Sequence, residues 1–199
     1  MLAELLAHPG VEEVCELRSR FGLLAPHGGS LEAGTDVVAA AAADGAGASF
    51  YAVCQPPDLN WHVPSIRFDP AASPVLAGFL DHVDAVVAVH GFGRVGMWTT
   101  LLVGGRNRTL AGRVGGALRA ALGDGFTVVD DVEAIPRPLR GVHPRNPVNL
   151  PRLGGVQIEL PPRVRGTTPH WEGWEGPGHC PPMEALVAGL AAAVQAWRP

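Results

Sequence analysis

The sequence has no lysine. All fifteen of its basic residues are arginine, and nineteen acidic residues leave a net charge of −4. The plain reading of this bias is codon usage in a GC-rich genome. Its physical consequence is that every cation on the chain is a planar fork suited to gripping carboxylates. Charged residues make up only 17% of the chain, and nothing in their distribution is the basic footprint of a nucleic-acid or anionic-membrane binder. Trp61, Trp98, Trp171, Trp174 and Trp197 are not interleaved with basic residues, which argues against single-strand binding. Three cysteines, Cys15, Cys54 and Cys180, lack CxxC spacing and cannot form a disulfide framework. No uncharged apolar run approaches the roughly 18 residues of a membrane span. The start, MLAELLAHPG, has no basic n-region, so no signal peptide is read there and a cytoplasmic location is expected. P-loop and GxSxG signatures are missing as well.

What is present is a chain of 199 residues, 47% hydrophobic, with 26 glycines and 19 prolines. That length suits one domain with a real core, and the glycine and proline content implies many tight turns and shaped loops. Short apolar runs alternate with helical patterns. Strands are expected at 21–25, 49–54, 63–68, 84–90, 99–103, 126–130 and 155–160. Helices are expected from about Asp36, with Thr35 as N-cap, and at 74–82, 108–122 and 182–197. The alternation predicts a single α/β domain over residues 1–199, with a mixed, mostly parallel central sheet and helices on both faces. Two stretches stay irregular, 131–154 with five prolines and four arginines, and the Trp/Pro/Gly-rich loop 166–182.

Four sets of residues carry chemistry. Pro26-His27-Gly28-Gly29-Ser30-Leu31-Glu32 ends the first strand, and His90-Gly91 ends the Val-rich one. Sites in such sheets form at the carboxyl ends of strands. His27, Glu32 and His90 together have the donor composition of an open catalytic zinc site. On 155–160, Val156, Ile158 and Leu160 share one face and Gln157 and Glu159 the other. Glu159 either lies on a wet face or acts as a general base. Arg106, Arg108, Arg145, Arg163 and Arg165, with Asn146 and Asn149, are candidate grips for an acidic substrate. His62, His82, His143, His170 and His179 are left unassigned.

These residues stand in an order that resembles the phage-type poly-γ-glutamate hydrolases, zinc enzymes with a carboxypeptidase-like fold. The resemblance is carried by PHGGSLEAGTDVVA, WHVPSIRFDP, DAVVAVHGFG, LLVGGRNRTL, PRNPVNL and GGVQIELPPRVRG, and covers about residues 17–166. It implies zinc held by His27, Glu32 and His90, catalysis by Glu159, and a carboxylate or oxyanion contact by Arg165. Arg145, Asn146, Asn149 and Arg106 become candidates for substrate binding. The implied substrate is an acidic γ-glutamyl peptide or polymer. Arg67 departs from the family pattern, which is expected to carry a smaller or imidazole side chain there, and so does Arg106-Asn107 in place of a more acidic pair. Two other readings stay open. One is an amidohydrolase of small N-acyl amino acids or cell-wall peptides with the same zinc centre. The other is a binder of acidic peptides without turnover.

Overall fold

In a computed structural model, residues 1–167 and 174–198 are described. His170 and Trp171, and with them part of the 166–182 loop, lie outside the described residues. The elements in chain order are α1 (Leu2–Leu6), β1 (Glu12–Glu16), β2 (Phe21–Gly29), α2 (Thr35–Ala46), β3 (Ser49–Gln55), α3 (Pro74–His82) and β4 (Ala85–Gly91). β5 (Thr100–Val103), α4 (Arg108–Leu122), β6 (Thr127–Val129), β7 (Gly155–Leu160) and α5 (Pro181–Gln195) follow.

The strands form one sheet in the order β1-β3-β2-β4-β7-β5-β6. Four of its six pairings are parallel, and β1–β3 and β7–β5 are antiparallel. The Val-rich run of β4 sits at the centre, where both faces are covered. On one face, Val87 and Val89 join Leu23, Val156 and Ile158 beneath residues of α2, α4 and α5. On the other, Val86 and Ala88 meet Leu2, Leu5, Phe68, Leu76 and Phe79. No helix among the described residues is long and apolar enough to cross a membrane.

Two expectations are corrected, and two elements are added. Residues 63–68 form no strand but a single 3-10 turn over Ser65–Arg67. Pro64 has no N–H to give to a ladder. Thr35 is not an N-cap. Gly34 takes that position at φ 86°, a left-handed turn that glycine makes without strain, and Thr35 opens the helix with its hydroxyl donating to the Glu32 carbonyl at 2.8 Å. The first sixteen residues add a short helix and the antiparallel edge strand β1, elements not read from the sequence.

β2 carries the irregularity that shapes the site. Ala25 pairs with Ala52 and Gly28 with Cys54, so Pro26 and His27 together face Val53. This bulge breaks the alternation. A regular strand would point His27 to the same face as Leu23 and Ala25. Instead its ring stands edge-on to Phe68 at 5.6 Å, on the opposite face.

Candidate metal centre

His27, Glu32 and His90 come together at the carboxyl ends of β2 and β4. His27 and His90 are 1% and 3% exposed, and their ring centroids are 5.0 Å apart. Glu32 reaches both from the turn after β2. Its Oε1 lies 2.8 Å from His27 Nδ1, and its Oε2 lies 3.4 Å from His90 Nδ1 while accepting the Gly91 N–H at 2.8 Å. Burial alone would raise the Glu32 pKa. The His90 and His27 imidazoles outweigh it and hold the carboxyl well below the usual carboxylate range.

Two features test whether this set fits a cation. His27 Nε2 lies 2.8 Å from the Val63 carbonyl, which can only accept, so Nε2 carries a proton. Nδ1 then points a lone pair at a carboxylate oxygen 2.8 Å away unless a positive charge joins them. A metal-bound imidazole is commonly held this way, its other N–H tied to a carbonyl. Secondly, His90 Nε2 is buried without a hydrogen-bond partner among the described residues, a costly state for a polar atom. Two imidazoles and a carboxylate are the donors zinc takes; the ligand atoms gathered within 4.8 Å of one another are those of His27, Glu32 and His62, and His90 adjoins them through Glu32, so the residues fit it.

His62, left unassigned in the sequence, also belongs here. Its ring lies 4.8 Å from that of His27, and its ligand atom falls within 4.8 Å of those of His27 and Glu32. It sits on the exposed rim. Partial burial and then the nearby His27 lower its pKa. It lies 35 positions from His27 (62 − 27) on a segment without regular structure, so no spacing rule links the two. Only its place beside Val63, whose carbonyl holds His27, connects them.

Glu159 faces His90 directly across the parallel β4–β7 ladder. It is 4% exposed, and Gln157 Nε2 donates to its Oε1 at 2.7 Å. Burial and the Glu32 charge push its pKa up to about 7, against the opposing pull of His90 and Arg165. A carboxyl so placed holds and releases a proton near neutral pH. Asn146 supports it at one remove. Its Nδ2 donates to Gln157 Oε1 at 2.8 Å, while its own Oδ1 accepts the Val148 N–H. The resulting line from Asn146 through Gln157 to Glu159 fixes which amide edge each residue presents.

These groups line one cleft of about 630 Å³. His62, Ile66, Phe92, Leu139 and His143 complete much of its wall, and Arg137 is the guanidinium among its lining residues.

The remaining candidates go elsewhere. Arg165 lies behind the centre rather than in the cleft lining. Its Nη1 donates to the Ala33 carbonyl at 2.6 Å and its Nε to the Leu160 carbonyl at 3.1 Å. Its guanidinium lies so close to Gly91 that a Cβ there would fall 2.7 Å from it. It braces the Glu32 turn against the ends of β4 and β7. Asn149 staples loops, donating to the Gly141 and His143 carbonyls and accepting the Arg106 N–H. Arg106 follows β5, which runs against β7, and so arrives beside the start of β7 rather than beside Glu159. It lines a separate surface pocket with Trp197 and Arg198. Arg145 lines a pocket next to the cleft, with Arg67.

A family model described as poly-gamma-glutamate hydrolase matches residues 4–168. The structure of a bacteriophage poly-gamma-glutamate hydrolase is similar at a TM-score of 0.77 and 22% identity, over 92% of this chain and 87% of that one. A zinc-free structure of YNDL is similar at a TM-score of 0.76 and 21% identity, over 94% of this chain and 90% of that one. A putative carboxypeptidase from Burkholderia mallei is similar at a TM-score of 0.51 and 12% identity, over 98% of this chain and 66% of that one. These likenesses show the fold. No curated protein matches the sequence.

Proposed function

The chain belongs to the poly-γ-glutamate hydrolase family, and from that premise we propose that it is a zinc-dependent hydrolase of γ-glutamyl amide bonds. His27, Glu32 and His90 would hold the metal, with His62 the further donor within reach. Zinc in this donor set supplies Lewis acidity and a water of lowered pKa.

Hydrolysis breaks the amide C–N bond, forms a C–O bond to the carbonyl carbon and moves one proton from water to the departing nitrogen. Glu159 is the group that carries this proton. It can do so at neutral pH because burial keeps its protonated and ionised forms close in energy. Gln157 holds one of its oxygens, and Asn146 holds Gln157, so the carboxyl waits in a single orientation. The observation that carries this reading is a buried proton carrier in register with a buried histidine whose Nε2 lacks a partner among the described residues. A protein that only binds peptides has no use for that pairing.

The decisive experiment measures zinc content together with cleavage of poly-γ-glutamate, with and without chelator. About one zinc per chain and chelator-sensitive cleavage are expected. A folded protein that takes up no zinc sinks the metal assignment. Zinc without cleavage would turn attention to small N-acyl amino acids, a second reading favoured by Ile66, Phe92, Leu139 and Val142 on the cleft wall. Turnover of such amides, but not of γ-glutamyl chains, would establish it.

A further inference from the structure

We propose that the pocket shared by Arg67 and Arg145 is a carboxylate subsite, which takes the free α-carboxylate of a γ-linked glutamate neighbouring the one being cleaved. The inference rests on the γ-glutamyl reading above and adds a specificity-determining site to it.

The pocket measures about 270 Å³, and Ile66, Phe68, Asp69 and Pro70 share its lining with the two arginines. It is joined to the metal centre by two side chains. Ile66 lines both the pocket and the cleft. Phe68, 1% exposed, lines the pocket while its ring stands edge-on to that of His27. The subsite therefore lies one side chain away from a metal-holding residue. Its two arginines come from different segments, and both segments also wall the cleft, one through His62 and Ile66 and the other through His143 and Asn146.

Charge supports this use, and what sets the pair apart from the other arginines without an ion pair among the described residues is that both line one small pocket joined to the cleft. Arg18, Arg20, Arg119, Arg140 and Arg152 are each matched by an acidic side chain. Among the described residues, no carboxylate pairs with Arg67 or Arg145. Asp69, the acidic residue in the pocket lining, accepts the Ala71 N–H at 3.0 Å and caps the turn that follows. Two arginines without a carboxylate partner among the described residues, set against the one carboxylate of Asp69, leave the lining of this small pocket net positive on a molecule of net charge −4, which favours an anion there. A γ-linked glutamate chain offers one free carboxylate per amide bond. A chain with one amide in the cleft presents its next carboxylate one unit away, and a guanidinium fork is the matching receptor.

The test compares zinc-loaded wild type with the Arg67→Ala/Arg145→Ala double variant on γ-glutamyl oligomers of increasing length and on the polymer. For wild type, KM should fall with chain length and rise with salt. The double variant should show KM on the polymer raised about tenfold, with most of its salt dependence gone. Arg67→Lys/Arg145→Lys should recover part of the loss. The single variants should each show part of it, which keeps the test usable if the double variant folds poorly. A folded double variant that cleaves the polymer with wild-type KM and salt dependence overturns the subsite and leaves the γ-glutamyl reading standing. Wild type that takes up zinc but leaves every γ-linked chain uncut overturns that reading, and the subsite with it.

Discussion

In the proposed mechanism Glu159 sets a conflict between function and stability that can be measured. Its folded-state pKa of about 7 lies above the ordinary 4.5, so the folded chain keeps a proton that the unfolded chain has released. The contribution of Glu159 to stability therefore falls as pH rises from 4.5 to 7, by about 3 kcal/mol in all. Glu159→Gln keeps the bond from Gln157 and removes the ionisation. After chelation, the variant should be more stable than wild type by up to about 3 kcal/mol at pH 8, with no gain near pH 4.5, as read by denaturant unfolding. Loaded with zinc, it should lose about 10²- to 10⁴-fold in kcat. Equal unfolding curves at pH 8 would show that the carboxyl is not strained by burial. Asn146 acts through Gln157 and should move kcat more than KM. Asn146→Ala is expected to cost about tenfold in kcat, and about 1 kcal/mol from the lost cap on Val148. An unshifted pH profile of kcat in that variant would separate it from the Glu159 line.

Among the elements, the turn from β2 into α2 is the most demanding. Gly29 has φ 68°, and a Cβ there would fall 2.2 Å from the Gln55 carbonyl oxygen. Gly29→Ala should destabilise the fold by about 3 kcal/mol and weaken zinc uptake, since the same turn carries Glu32. Calorimetry with and without zinc would show both effects, and a variant that melts like wild type would refute the strain. The helices at 74–82 and 108–122 and the strand at 155–160 were legible in the sequence because their periods are clean and their ends carry caps or glycines. His27, Glu32, His90 and Glu159 were legible as a set of residue types near strand ends. Hidden from it were features that arise only from pairing. The bulge at Pro26-His27 is defined by the strand opposite. The place of Arg106 depends on the reversed direction of β5. His62 rides on a segment whose apolar pattern imitates a strand, while Pro64 prevents one. β1, EEVCE, has charge where an edge strand meets solvent and little of the apolar signal that marks a strand.

For the molecule as a whole, a cation at the centre would tie β2, the Glu32 turn and β4 together and so couple metal binding to folding. With zinc at about a thousandfold over its Kd, linkage adds about 4 kcal/mol, which for a chain of this size raises Tm by about 10 °C. Chelation should remove that increment in wild type, and His90→Ala should lack it from the start. A melting temperature indifferent to zinc would show that the three residues form no metal site. The register pair His90 and Glu159 has a further consequence. Neighbouring strands stand about 4.8 Å apart, and that spacing belongs to the backbone ladder rather than to any side chain. The sheet thus serves as a ruler between His90 and Glu159, the donor and the proton carrier of the proposed mechanism. Loops such as those bearing Arg67 and Arg145 can drift, lengthen and change their grip without altering that interval, so descendants of this fold are free to trade one acidic substrate for another while inheriting the same reach of proton transfer.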